Sequence, residues 1–291
     1  MRLRPLGPGA PAVSAVGYGG MHLSLEARPP ESEAIRVLHA VFDAGVTLVD
    51  TADVYCRDQH DIGHNERLIA AALRSWAGSR DGILVATKGG IVRPGGRWET
   101  DGRPAQLRAA CDRSLAALGV ERIDLYQLHA PDPQVPFEDS VGTLAELREA
   151  GKVGWVGLSN VSVAQIETAS RIAPVVSVQN RLNPFFREAL AGGVVAHCAA
   201  RGLGFLAYSP TGGGRLTRKL PTHPVLQPMA ARLGVTAHAL VLAWALSRSP
   251  TVIPIPSARR VEHALDSVSA AELDLSADDL AAIDRAEFSR A

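Results

Sequence analysis

CDRSLAALGVERIDLYQLHAPDPQVPFEDSVGTLAELREAGKVGWVGLSN, residues 111–160, runs from inside one helical pattern through an apolar run, a second helical pattern and a second apolar run, with no internal sequence repeat. An amphipathic pattern from Gln106 to Leu118 stops at Gly119, where a helix C-cap belongs. The short apolar run Ile123–Leu128 follows and breaks off at a polar residue, His129. A second helical pattern, Phe137–Ala150, stops at Gly151, and the run Val153–Leu158 breaks off at Ser159–Asn160. Strands alternating with helices of this length predict a parallel sheet with crossover helices.

The same alternation continues toward both ends. Strands are predicted over Ala15–Gly17, Thr47–Asp50, Ile83–Thr87, Val175–Val178, Gly204–Ala207 and Val252–Ile255. Helices are predicted over Glu31–Ala44, Glu66–Trp76, Val163–Arg171, Glu188–Arg201, Thr236–Ser247 and Val261–Ser269. Ser162 stands where it can cap the helix after it, and Gly45 and Gly202 sit at C-cap positions. Eight such units in 291 residues, with no linker or composition break, predict one α/β domain over residues 1–291. A closed (β/α)8 TIM barrel is expected rather than an open doubly wound sheet. Arg2–Val13 reads as a short hairpin capping the barrel's bottom.

Composition narrows the function. Apolar residues make up 46% of the chain and charged residues 21%, which fits a packed core and not disorder. Lys and Arg together number 30, as do Asp and Glu, so the basic excess expected of a nucleic-acid or anionic-membrane binder is missing. Cys56, Cys111 and Cys198 form no CxxC pair and no metal-type spacing, which suits a reducing compartment. The opening MRLRPLGPGAPAV has no continuous apolar stretch of the signal-peptide kind. No apolar run approaches the roughly 18 residues of a membrane span. The expectation is a cytoplasmic protein acting on a small molecule, with no nucleic-acid or membrane partner; the sequence leaves the oligomeric state open.

In such barrels the chemistry gathers at the C-terminal ends of the strands. Asp50 ends the second strand in LVDTADVY, with Tyr55 five residues on; Lys88 ends the third in LVATKGG; His129 ends the fourth. Each has an ordinary explanation alone: a turn-capping aspartate, a solvated lysine, a core histidine, a loop tyrosine. At the ends of successive strands they converge on one volume and suit carbonyl reduction. A hydride added to a carbonyl carbon builds charge on oxygen, which needs a proton donor and a hydrogen-bond donor. Tyr55 is the expected acid, and Lys88 is expected to lower its pKa. Asp50 would keep Lys88 charged, and His129 would orient the carbonyl.

Read with their neighbours, these residues resemble the aldo-keto reductase superfamily over essentially the whole chain. The matching segments are GYGGM (17–21), VDTADVY (49–55), NERLIAAAL (65–73), ATKGG (86–90), RSLAALGVERIDLYQLH (113–129), LREAGKVGWVGLSN (147–160), VQNRLNP (178–184), LAYSPTGGG (206–214) and VIPIPSARRVEHALDS (252–267). The resemblance carries the family's Asp, Tyr, Lys and His tetrad onto Asp50, Tyr55, Lys88 and His129. It implies NADPH as cofactor, bound without a Rossmann fingerprint, and none occurs here. By the same resemblance Ser159, Asn160 and Gln179 bond the carboxamide and Tyr208 stacks on the nicotinamide. Gly20 and Met21 join the cofactor set. Ser209 with Gly212, Gly213 and Gly214 approaches the pyrophosphate. Ser257, Arg259 and Arg260, at a helix start, are placed for the 2′-phosphate. His263 and Ser267, with Glu262, stand where adenine and ribose are contacted.

The chain also departs from the family pattern. CRDQHDIGHNERL (56–68) is longer than the usual glycine-containing loop, and it holds His60, Asp61 and His64; no metal is expected there. Ser257 stands for a common glycine, Ser267 for an asparagine and Thr211 for a leucine. Little chain follows Phe288 to shape the substrate mouth. Tyr18, His22, Trp98, Phe137 and Phe186, with Met21, are candidate pocket walls because they lie in loops after strands. Two other classes of function compete with NADPH-linked reduction. A Schiff-base lyase or metal-dependent hydrolase on this barrel leaves Tyr208 and the arginines unexplained. An NADPH-binding redox-sensing protein with little turnover is compatible with the cofactor residues.

Overall fold

The strand expected over Ile123–Leu128 forms with those bounds and pairs on both sides with parallel neighbours. The structure, a computed structural model, describes residues Met1–Ala291. Eight parallel strands follow in chain order: β1 (Tyr18–Gly19), β2 (Leu48–Asp50), β3 (Leu84–Gly89), β4 (Ile123–Leu128), β5 (Val153–Ser159), β6 (Val175–Arg181), β7 (Gly204–Tyr208) and β8 (Val252–Pro254). Gly17 N donates to Pro254 O at 3.0 Å and Gly19 N to Pro256 O at 2.8 Å, so the last strand meets the first. The fold is a (β/α)8 TIM barrel.

The helices around it are α1 (Glu31–Asp43), α2 (His64–Ser75), α3 (Pro104–Leu118), α4 (Phe137–Glu149), α5 (Val163–Ser170), α6 (Glu188–Ala191), α7 (Val194–Arg201), α8 (Leu226–Leu233), α9 (Ala237–Ser247), α10 (Val261–Ser269) and α11 (Ala277–Arg285). Ser162 caps α5 in a complete capping box with Gln165. The single helix expected over Glu188–Arg201 is two, because Gly193 takes a left-handed φ of 74° that no helix can contain. The strand expected over Ala15–Gly17 is a buried bend, and pairing begins at Tyr18. β6 runs past the expected Val178 to Arg181, held there by pairing of Asn180 with Ala207 and Arg181 with Tyr208 rather than by apolar residues. The helices α8 and α11 and a small hairpin of Ile91–Val92 with Glu99–Thr100 were not expected from the sequence. No helix is long and apolar enough to cross a membrane.

Period-two alternation sorts the strands' side chains into an inner and an outer layer. Inside, Leu48, Leu84, Leu125, Val176, Leu206 and Ile253 pack together with Leu6 and Val13 of the N-terminal segment. Outside, Val49, Val85, Tyr126, Val156 and Phe205 pack against the helices. The N-terminal hairpin, Leu3–Pro5 with Ala12–Ser14, covers the bottom as expected. Gly204 N donates to Leu6 O at 2.9 Å. A Cβ at Gly204 would stand 2.3 Å from that oxygen, so only glycine lets the segment approach.

Candidate active site

The alternation that sends Leu48 inward sends Asp50 inward, and Leu84, Ala86 and Lys88 follow the same rule. Asp50 lines a cavity of about 330 Å³ at the C-terminal face, and Lys88 is buried beneath it. Lys88 Nζ donates to Asp50 Oδ2 at 2.6 Å, to Thr51 O at 2.8 Å and to Tyr55 OH at 3.1 Å. An ammonium has three donors, so this lysine is fully satisfied although its side chain is entirely buried. Asp50 Oδ1 accepts from Gln179 Nε2 at 2.7 Å and Gln127 Nε2 at 3.3 Å. The His129 ring meets Tyr55 edge-on, with centroids 5.8 Å apart.

Burial governs the charges here. It holds the Tyr55 phenol well above its usual pKa, and the Asp50 charge adds to this. The net shift is therefore upward and not the expected downward one: desolvation of a phenolate, with the Asp50 charge, outweighs the bond from Lys88. Burial also pulls Lys88 down, with Asp50 pulling it up. Burial, reinforced by the Lys88 charge, holds His129 well below the usual histidine value. Its Nδ1 is buried without a partner. A protonated phenol and a neutral imidazole therefore face the cavity.

The opposite wall comes from β5, β6 and β7. Ser159, Asn160, Gln179, Tyr208 and Ser209 line it. Asn160, in a left-handed conformation (φ 59°), donates to His129 O at 3.0 Å and accepts from Tyr208 OH at 2.8 Å. Met21, Gly213 and Ser257 also line the cavity, and Ser257 Oγ is buried with no partner. Gly20 does not; its neighbour Gly19 does. A Cβ on Gly20 would meet Asn65 Oδ1 at 2.4 Å, so that glycine serves the contact between β1 and α2. Gly212 and Gly214 belong to the loop beside the lining Gly213, and all three take positive φ. Arg259, Arg260, His263 and Ser267 stand outside the cavity, the first three around the start of α10 and Ser267 in its last turn. Arg259 donates to Ala27 O at 2.8 Å, and Arg260 is 3.9 Å from Glu262.

Of the expected pocket walls, His22, Met21 and Trp98 line the cavity. Tyr18, Phe137 and Phe186 do not. Tyr18 is buried with its hydroxyl on Ala258 O. Phe137 opens α4 and packs against the core between strands and helices. Phe186 lies under the guanidinium groups of Arg181 and Arg290. Tyr18 lies within β1 and Phe137 opens α4, so neither ring stands on a loop at the cavity mouth, and Phe186 is covered by its two arginines.

The sequence reading missed three contributors. Gln127, two residues before His129, was signalled by strand alternation alone. Arg181 lines the cavity two residues after Gln179 for the same reason. Arg93 carried no sequence signal: it donates to Cys56 O at 2.7 Å and Arg57 O at 2.8 Å, and its guanidinium lies 4.1 Å from the Trp98 ring. It thereby ties the long loop after Tyr55 to the residue that faces Tyr55 across the cavity, with ring centroids 6.4 Å apart. In that loop Asp61 is 2.6 Å from Arg28 Nη1, and His64 Nδ1 is 2.8 Å from Ser24 Oγ. His60 lies beside Gln59, so His60 and His64 do not share a partner.

Strand ends that carry an aspartate, a lysine bonded to a tyrosine, and a histidine define a class of barrel oxidoreductase. The sequence model of the aldo/keto reductase family matches residues 15–287, and the chain belongs to that family. An uncharacterised oxidoreductase of Schizosaccharomyces pombe is 34% identical over 277 residues, 94% of this chain and 86% of that protein. An aldo/keto reductase from Klebsiella pneumoniae, solved with NADP and acetate, superposes with a TM-score of 0.83 at 27% identity, covering 98% of this chain and 95% of that one. The glycerol dehydrogenase of Gluconobacter oxydans gives 0.83 at 26% identity, covering 97% and 93%.

Proposed function

We propose that this protein reduces an aldehyde or ketone to the alcohol with NADPH, Tyr55 acting as the general acid. The observation that carries the reading is Lys88 Nζ bonded to both Asp50 and Tyr55 beneath a cavity shared with His129. The cofactor reading is supported by residues of this chain. Tyr208 offers a ring face in the cavity wall, and Ser257 Oγ is a buried hydroxyl in need of a partner. The loop 212–214 presents backbone without side chains, as phosphate binding favours. Ser159, Asn160 and Gln179 would take the carboxamide, and Arg259 or Arg260 the 2′-phosphate. NADPH, when bound, supplies the hydride.

The chain supplies the rest. His129, held neutral, donates to the carbonyl oxygen and polarises it. As charge grows on that oxygen, Tyr55 OH gives it a proton. The phenolate left behind is stabilised by the Lys88 ammonium already donating to it, and Asp50 with the two glutamines holds Lys88 in place. Solvent then returns a proton to Tyr55. The raised Tyr55 pKa keeps the phenol protonated in the resting site, so a proton is at hand when the substrate oxygen becomes strongly basic.

The test is NADPH consumption and alcohol formation with a panel of aldehydes and ketones, on the wild type and Tyr55→Phe. The variant is expected to lose about 10²–10⁴ in kcat, the usual contribution of a general acid, with little change in NADPH affinity. A Tyr55→Phe enzyme as fast as the wild type would remove the assigned acid. NADPH binding without turnover of any carbonyl would favour the redox-sensing alternative.

A further inference from the structure

Beyond the tetrad and the dinucleotide wall, one cation of the cavity has no assigned work. Arg181 ends β6, and Gln179 two residues earlier reaches inward to Asp50 Oδ1 at 2.7 Å. Alternate residues of a strand share a face, so Arg181 rises from the same wall about 6.6 Å nearer the mouth. It lines the cavity together with Tyr55, His129 and Trp98. Its guanidinium carbon lies 4.5 Å from the Phe186 ring centre and 5.6 Å from that of Tyr208. Such stacking holds the flat group without consuming its N–H donors.

No carboxylate pairs with it. Arg28, Arg103, Arg232, Arg248 and Arg290 all hold an acidic partner in ion pairs; Arg181 holds none. Glu188, whose carboxyl feels the Arg181 charge, is bonded to Arg290. Asp50, the one carboxylate lining the cavity, is bonded to Lys88. The mouth therefore carries an uncompensated cation with a planar fork of donors, the geometry that takes a carboxylate or phosphate oxygen pair.

We propose that Arg181 sets substrate specificity by binding an anionic group, a carboxylate or phosphate ester, of the carbonyl compound being reduced. This rests on the carbonyl-reductase reading and names its substrate class. The step along β6 places the anion several ångströms from the carbonyl, so the two groups belong at opposite ends of a small substrate. A cofactor pyrophosphate presents the same chemistry, and the experiment separates the two sources.

Wild type, R181M and R181K are compared on para-carboxybenzaldehyde and para-nitrobenzaldehyde, two electron-poor aldehydes that differ in charge. Affinity for NADPH is measured in parallel by fluorescence titration. The ratio of kcat/KM for the carboxylated over the neutral aldehyde is expected to fall about tenfold in R181M, mostly through KM. R181K is expected to keep part of it, and added salt to narrow the ratio in the wild type. An unchanged ratio in R181M overturns the proposal. So does an equal loss on both aldehydes with a raised NADPH Kd, which assigns Arg181 to the pyrophosphate. If the wild type turns over neither aldehyde, the reductase reading fails separately. Calorimetric titration of para-carboxybenzaldehyde into wild type and R181M, with and without NADP+, then decides: undiminished affinity in R181M overturns the Arg181 assignment, and weakened affinity supports it.

Discussion

The floor of the cavity and the exposed rim beyond it, at the start of α10, are built on opposite principles. On the floor, Lys88 spends all three donors within the protein, and Asp50 is bonded by Lys88 and two glutamines. At the rim, Arg259 makes one bond to a backbone carbonyl, and Arg260 is exposed with only a distant glutamate. A charge buried beside the reacting atoms must be paired beforehand, because leaving it unpaired in a dry site costs several kcal/mol. A charge that captures an anion from water gains by staying hydrated and free until the ligand arrives. Under the proposed function, the difference separates residues that would do chemistry from residues that would only bind.

The sharpest way to break this comparison is at the floor. Lys88→Met removes one member of the buried pair and leaves Asp50, 2% exposed, without its cation. Truncating one partner of a buried pair typically costs about 3–5 kcal/mol. Urea denaturation should show that loss along with a collapse of carbonyl reduction. An unchanged unfolding midpoint would mean that the pair contributes nothing to the fold.

At the rim the expected effect is on binding alone. Replacing Arg259 and Arg260 together by alanine should raise the KM for NADPH about tenfold or more, since one charge-assisted bond to the 2′-phosphate is worth at least that. The KM for NADH and the melting temperature should barely move. Equal losses with both dinucleotides would show that the arginines act through the helix and not through the phosphate.

A smaller effect is expected just behind the floor. Asp53 is buried with neither carboxylate oxygen hydrogen-bonded by a side chain, 3.8 Å from Arg113 and near Glu66, whose Oε1 accepts from Thr87 at 2.6 Å. Burial, with the Glu66 charge, holds Asp53 well above the ordinary carboxylate range. A raised folded-state pKa means the folded protein binds the proton more tightly. Stability from this group is therefore full below the unfolded pKa and is lost as pH rises through the folded one. His129, with its depressed value, works in the opposite sense: its contribution is present above the usual histidine pKa and lost as pH falls through the folded value. Unfolding free energies measured against pH for the wild type and Asp53→Asn isolate the first term. The variant should lack the decline with rising pH, and parallel curves would assign the proton elsewhere.

Much of this architecture was legible in the sequence because it is periodic. Runs such as Ile123–Leu128 and Val153–Leu158, set between capped helices, specify parallel strands through local hydrophobicity and φ/ψ preference alone. Asp50, Lys88 and His129 stood out because apolar strands need not end in such residues, and Tyr55 because it follows Asp50 in a motif that matches the family. Less legible were the bounds that depend on partners. Pairing with Tyr208 extends β6 to Arg181, and Gly193 divides a continuous helical pattern.

What the sequence determined by itself was the order of strands and helices and the identity of the residues at the strand ends. Those follow from side-chain period and backbone preference, which act within a few residues. Only the tertiary structure decided which side chains share the cavity, as with Trp98 inside and Phe137 and Phe186 outside. It also decided the direction of the Tyr55 shift and the unpaired state of Arg181. Those depend on desolvation and on charges brought together from distant segments. Burial of Tyr55 beside Asp50 outweighs its bond to Lys88, and Arg290 takes Glu188 from 102 residues away, leaving Arg181 free.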